Sequence, residues 1–117
     1  MTRKRYDSHS TEFGLWLREQ AAIDSSLGFV ATNLDYIWAN HKTGAWMLIE
    51  EKRHGSNPTY SQRELFKVLH GACKDAPGYR GIHLLTFENT SPDDGHIYWD
   101  RQEITREQLI TILRMEG

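Results

Sequence analysis

The chain of 117 residues contains one cysteine, Cys73, and three prolines. A lone thiol cannot close an internal disulfide, which fits a reducing compartment. Its place in an apolar helical pattern marks it as a buried structural thiol rather than a nucleophile. No stretch approaches the ~20 apolar residues of a membrane span, and the start, Met-Thr-Arg-Lys-Arg, has no apolar signal core. A cytoplasmic protein with no membrane partner is therefore expected. Six histidines, His9, His41, His54, His70, His83 and His96, form no His-x-x-x-His pair, and there is no Cys-x-x-Cys, which argues against zinc. No serine sits in an elbow motif, and there is no glycine-rich phosphate loop, internal repeat or low-complexity segment. A strong basic excess is also missing: the net charge is −2, so any nucleic-acid partner has to be met by local charge distribution.

What remains is an ordinary globular composition, 38% hydrophobic with four Trp, five Tyr and four Phe. The length suits one domain, expected over residues 10–117. Ahead of it, residues 1–9 read as a mobile basic arm through Arg3, Lys4 and Arg5, either a phosphate contact or a solvated terminus.

Phe13, Trp16, Leu17 and Ala21 recur at helical spacing, with Ser10 or Thr11 as N-cap. Two strands follow, Phe29 to Asn40 and Ala45 to Arg53, with apolar residues on both faces, which predicts a central hairpin covered by helices on both sides. His54 to Thr59 is a loop. Ser61-Gln62-Arg63-Glu64 reads as a capping box stapled by Tyr60 and Leu65, opening a helix that runs to about Lys74 and buries Leu65, Val68, Leu69 and Ala72. Arg63, Lys67 and Lys74 lie on its outer side. Gly81 to Glu88 is a buried strand, and His96 to Asp100 is another after a Pro-Asp-Asp-Gly turn, whose acids serve turn chemistry. Thr105 to Gln108 is a second capping box, stapled by Ile104 and Leu109, and its helix buries Leu109, Ile112 and Leu113. The expected fold is α/β in the order α-β-β-α-β-β-α, with a four-stranded mixed sheet flanked by helices.

The chemistry concentrates between Asp35 and Lys52. Apolar arms flank Asn40-His41-Lys42-Thr43-Gly44 and end in Glu50-Glu51-Lys52. With a Lys42-Thr43 loop, positions summing to 85 pair, which sets Asp35 opposite Glu50. A loop of Lys42-Thr43-Gly44, with Gly44 left-handed, would slip the register by one and turn Asp35 to the other face. Opposed carboxylates ~5 Å apart repel, and a divalent cation with hard oxygen ligands turns that liability into a site. Lys52, two residues along on the same face as Glu50, is placed to balance charge on a phosphate or polarise a water.

Asp35 followed by Met47-Leu48-Ile49-Glu50-Glu51-Lys52 resembles the signature of the PD-(D/E)XK nuclease superfamily, and the likeness runs from about Ser10 to Trp99. Asn33-Leu34 stands where the named Pro-Asp would be. The resemblance implies a restriction-endonuclease-like core and DNA phosphodiester hydrolysis with Mg²⁺ or Mn²⁺. It implies Asp35 and Glu50 as metal ligands joined by the Glu51 carbonyl, Lys52 as catalytic lysine, and Gln62 facing that lysine or the phosphate. It also implies Glu12 as an extra ligand, where the alternative is a favourable charge in the first turn of a helix. Gln62 is equally at home in any helix start. The short chain points to a structure-specific or nicking endonuclease acting on DNA, branched DNA included, with a homodimer as the simplest way to cut two strands. The alternative is a non-catalytic nucleic-acid-binding or protein-interaction module on the same fold.

Overall fold

A computed structural model describes residues 12–116, so the basic arm and the Ser10 or Thr11 cap lie outside the described residues. The chain forms two compact units, one ending at Thr32 and one beginning at Asn33. In the first, α1 (Glu12–Arg18) is followed by two 3-10 turns, Ala21–Ile23 and Ser25–Leu27. The helical spacing of Ala21 thus falls in a 3-10 turn rather than in α1. Phe13 and Trp16 stack on each other, ring centroids 6.0 Å apart, and both stay exposed. Asp24 caps the second turn by accepting the Ser26 amide, and Gly28 closes it in the left-handed region.

The second unit carries β1 (Tyr36–Ala39), β2 (Trp46–Arg53), α2 (Tyr60–Cys73), β3 (Tyr79–Phe87), β4 (Ile97–Trp99), β5 (Gln102–Ile104) and α3 (Arg106–Arg114). The strands form one open mixed sheet in the order β1-β2-β3-β4-β5. Only β2 and β3, joined through α2, run parallel. The protein is α/β, as the sequence implies, but with five strands rather than four and in the order α-β-β-α-β-β-β-α. The extra strand arises because Asp100 and Arg101 both adopt positive φ, 50° and 72°. They make a two-residue turn that folds Gln102–Ile104 back onto β4.

The β1–β2 hairpin is not central either. β1 forms the edge of the sheet, with all four of its residues exposed. It is also much shorter than the expected Phe29 to Asn40 strand, and a side chain explains where it stops. In the antiparallel ladder the Glu51 amide would bond to the main chain of β1, but the Asp35 carboxylate takes that N–H instead, at 2.8 Å. The ladder ends there, and residues 29–35 lie outside any strand.

Side-chain alternation divides the sheet sharply. Odd positions of β2, Met47 and Ile49, join Ala45, Leu85, Phe87, Ile97, Leu109 and Met115 in one buried cluster, packed by Trp99, Ile104, Ile112 and Leu113. α3 supplies one wall of this core, and its capping box is the expected one: Thr105 accepts the Gln108 amide and Gln108 accepts the Thr105 amide. Even positions, Leu48, Glu50 and Lys52, fall on the opposite face in register with Ile82, Leu84 and Thr86. α2 accompanies this face. Its N-cap is Thr59 and its box closes with Gln62, two residues ahead of the expected Ser61 and Glu64. Of the expected buried stripe, Val68, 69% exposed, and Ala72 face outward, Cys73 is only half-buried, and Phe66 is half-buried beside Leu65 and Leu69. Among the described residues no helix is long and apolar enough to cross a membrane.

Candidate active site

The turn between β1 and β2 fixes the register. Asn40 donates its amide to the Ala45 carbonyl, and Gly44, at φ 80°, donates to the Asn40 carbonyl. Gly44 is therefore left-handed, yet the register does not slip, because the loop takes in four residues, His41 to Gly44. Tyr36 pairs Ile49, Ile37 pairs Leu48, Trp38 pairs Met47 and Ala39 pairs Trp46, each sum being 85. The next step outward sets Asp35 against Glu50.

Glu50 is 4% exposed, and its Oε1 is buried without a hydrogen-bond partner. Its Oε2 lies 3.3 Å from the Lys52 ammonium. Burial pushes the Glu50 pKa up, and the Asp35 charge beside it adds to the rise, against the opposing pull of Lys52. Asp35 is thus near enough for its charge to act on Glu50. Asp35 is itself anchored, since its Oδ2 accepts the Glu51 amide.

Glu51 shows its two ends to different surroundings. Its side chain projects to the α3 face, where Tyr36 Oη donates to Oε1 at 3.1 Å and Arg53 Nε to Oε2 at 2.6 Å. In a strand the N–H and C=O of one residue point to the same side of the ribbon, so the Glu51 carbonyl is directed toward the β1 side, as its amide is.

Lys52 lies on the same face as Glu50 with its side chain 18% exposed, and its ammonium donates to Gln62 Oε1 at 3.2 Å. The same Gln62 oxygen accepts the Thr59 amide at 3.0 Å in the capping box of α2. One side chain thus ties the start of α2 to the lysine of β2. The structure brings together Asp35, Glu50, Lys52, Gln62 and the Glu51 backbone. Glu12 opens α1 in the first unit as the acid of its first turn.

No family model matches the chain, and no curated protein or solved structure matches it. The chemistry has to be read from the donor set. Among the described residues no three His, Cys, Asp or Glu side chains group as a ready metal cage. Two adjoining carboxylates, one with an orphaned buried oxygen, together with a backbone carbonyl on the same side nevertheless suit Mg²⁺, which keeps several waters and takes one or two protein carboxylates. The residues present fit a hard divalent cation.

Outside the cluster, Asp93 and Asp94 do what the turn requires: Asp94 accepts the Thr90 and Ser91 amides, and Asp93 accepts from Arg106 Nε. On β3, His83 Nδ1 lies 2.7 Å from Asp100 Oδ2 and Nε2 lies 2.8 Å from the Arg80 carbonyl. Burial opposes the His83 charge, but these two acceptors outweigh it and raise its pKa. Asp100 is likewise penalised by burial and is nonetheless lowered, because His83 and the Leu84 amide bond to it.

Sequence reasoning reached every member of the cluster but missed how two of them are held. Neither the Asp35 carboxylate on the Glu51 amide nor the double use of Gln62 Oε1 has a local signature. The overlap of Thr59-x-x-Gln62 with Ser61-x-x-Glu64 was the one available hint of the latter.

Proposed function

We propose that the protein is a metal-dependent endonuclease of the PD-(D/E)XK type with a restriction-endonuclease-like core, hydrolysing phosphodiester bonds of DNA. The observation that carries this reading is the buried, partly unsatisfied Glu50 carboxylate wedged between Asp35 and Lys52. Burying such a group next to a second acid costs stability and has no structural return. Asp35, Glu50 and the Glu51 carbonyl would hold the cation. When bound, Mg²⁺ or Mn²⁺ neutralises the paired acids and offsets charge building on the phosphate oxygens.

The chain's own residues do the rest. Asp35 is fixed by the Glu51 amide, so its free oxygen keeps one direction. Lys52, held between Glu50 and Gln62, carries a proton at Nζ beside the acids and orients the attacking water or balances the phosphate. Gln62 positions Lys52 through the rigid start of α2. Structure-specific or nicking cleavage is the version of the activity proposed, and a homodimer would place two such sites on two strands.

The test is cleavage of supercoiled plasmid and of a four-way DNA junction, with an RNA duplex for comparison, in Mg²⁺, Mn²⁺ or EDTA. Metal-dependent cutting of DNA that disappears in Lys52→Ala is the expected result. No cutting by a folded wild-type sample in any metal would leave a non-catalytic nucleic-acid-binding or protein-interaction module as the reading.

A further inference from the structure

Glu50 also lines a cavity that the cleavage reading does not use. The cavity, of about 540 Å³, lies between α2 and β3 on the even face of the sheet. Phe66, Ile82 and Leu84, each half-buried, give it an apolar lining. The lining residues that reach solvent are Arg63, Lys67 and His70 on α2 and Asp100 and Arg101 at the β4–β5 turn, three cations against one acid that is engaged by His83. Lys67 is paired with Glu64, and Arg101 donates to Asn57 Oδ1 at 3.0 Å, so that turn is tied to the loop after β2. The volume is within the ~300–1,000 Å³ of ordinary small-molecule pockets.

We propose that this cavity receives one unpaired nucleobase of the substrate, with the phosphate beside it held by Arg63, Lys67 and Arg101. This rests on the nuclease reading above and narrows it. An apolar slot containing an aromatic ring suits the face of a base, and a rim on which three cations outnumber the one acid, Asp100, suits the adjoining phosphate but not a second apolar protein surface. Because Glu50 belongs both to the slot and to the acid pair, the seated base is close in sequence to the scissile phosphate. A fully stacked duplex cannot deliver a base there, since the nucleotide has to leave the stack first. The favoured substrates are accordingly strands with an extrahelical or unpaired nucleotide at the cut: bulges, flaps and junction branch points.

The experiment measures binding without metal, so that it does not depend on cleavage. Three labelled DNA duplexes are compared by fluorescence polarisation in EDTA: one with a single extrahelical thymine, one with an abasic residue in its place, and one fully paired. Thymine and abasic forms share the same flexible backbone and differ only in the base. Wild type is expected to bind the thymine form about tenfold more tightly than the abasic form, within the range of one base stacked on protein. Ile82→Phe, which fills the slot, should erase that difference, and Phe66→Leu should reduce it, with melting curves confirming that both variants are folded. Equal wild-type affinity for the thymine and abasic forms would overturn the proposal, as would a thymine preference that survives in folded Ile82→Phe. If the preference is present and lost in Ile82→Phe while no metal supports cutting, the base slot stands and the nuclease reading falls. Metal-dependent cutting with no thymine preference leaves the nuclease and removes the slot.

Discussion

The two faces of the sheet in the second unit are built from alternate residues of the same strands, yet they are made for different ends. The odd face closes over Met47, Ile49, Leu85, Phe87 and Ile97 with α3, and its members are almost wholly buried. The even face places Glu50 and Lys52 among Leu48, Ile82 and Leu84 and leaves a cavity beneath α2, which has no fully buried residue. A period of two thus lets one strand, β2, contribute to the core with every second residue and to the acid and lysine cluster with those between. Stability borne by one face can offset the burial of charge on the other. Substitutions on the odd face should therefore act on folding, and those on the even face mainly on activity.

The largest expected effect is on the even face. Lys52→Ala should lower DNA cleavage by about 10²–10⁴-fold, the usual worth of a positioned proton carrier. The protein should still fold, because Glu50, deprived of its cation, takes up a proton, and circular dichroism melts run beside the nicking assay would check this. Next is Phe87→Ala on the odd face, which should cost about 3–5 kcal/mol in denaturant unfolding through the cavity it leaves. That is a large part of the ~5–15 kcal/mol a domain has in total. Leu84→Ala, beside the existing cavity, should cost clearly less in the same experiment. If the two cost the same, the division between the faces is wrong. Gln62→Ala tests a side chain that both caps α2 and holds Lys52. Losing its capping hydrogen bond should cost roughly 1 kcal/mol, and loosening Lys52 should lower cleavage beyond what that stability loss explains. Gln62→Glu, which keeps both acceptors, should restore most of the stability.

Much of this division is legible in sequence because it depends on parity. The sum of 85 survives a loop of two residues or of four, so the pairing of Asp35 with Glu50 follows even though the turn itself is longer than Lys42-Thr43. Thr105 and Gln108 cap α3 as read, since no competing pair overlaps them. Where two local signals compete, tertiary contact decides. Thr59-x-x-Gln62 and Ser61-x-x-Glu64 are equally good boxes, and the hydrogen bond from Lys52 to Gln62 favours the first. β5 could not be read, because Gln102-Glu103-Ile104 is short and polar and its turn, Asp100-Arg101, lacks the glycine that usually announces two positive φ angles. The end of β1 is set by a side chain replacing a main-chain acceptor, which no pattern of hydrophobicity records.

The smallest expected effect is the most direct test of why the acids are paired. Burial and the Asp35 charge raise the Glu50 pKa in the folded protein, so the stability associated with Glu50 is fully present below the ordinary carboxylate range and declines as pH rises through the raised value. Asp35→Asn removes the neighbouring charge while keeping an oxygen to accept the Glu51 amide. The variant should gain roughly 0.2–1 kcal/mol at neutral pH, the scale of one opposed like-charge pair, and that gain should vanish as the pH falls below the raised Glu50 value and Glu50 takes up its proton. Mg²⁺ should raise the melting temperature of wild type at neutral pH and that of Asp35→Asn much less, because a cation binding only the folded state relieves a repulsion the variant no longer has. If Asp35→Asn is destabilised equally at every pH, Asp35 acts through its hydrogen bond to Glu51 rather than through its charge. The even face would then be another piece of scaffold, and the contrast between the faces would lose its chemical half.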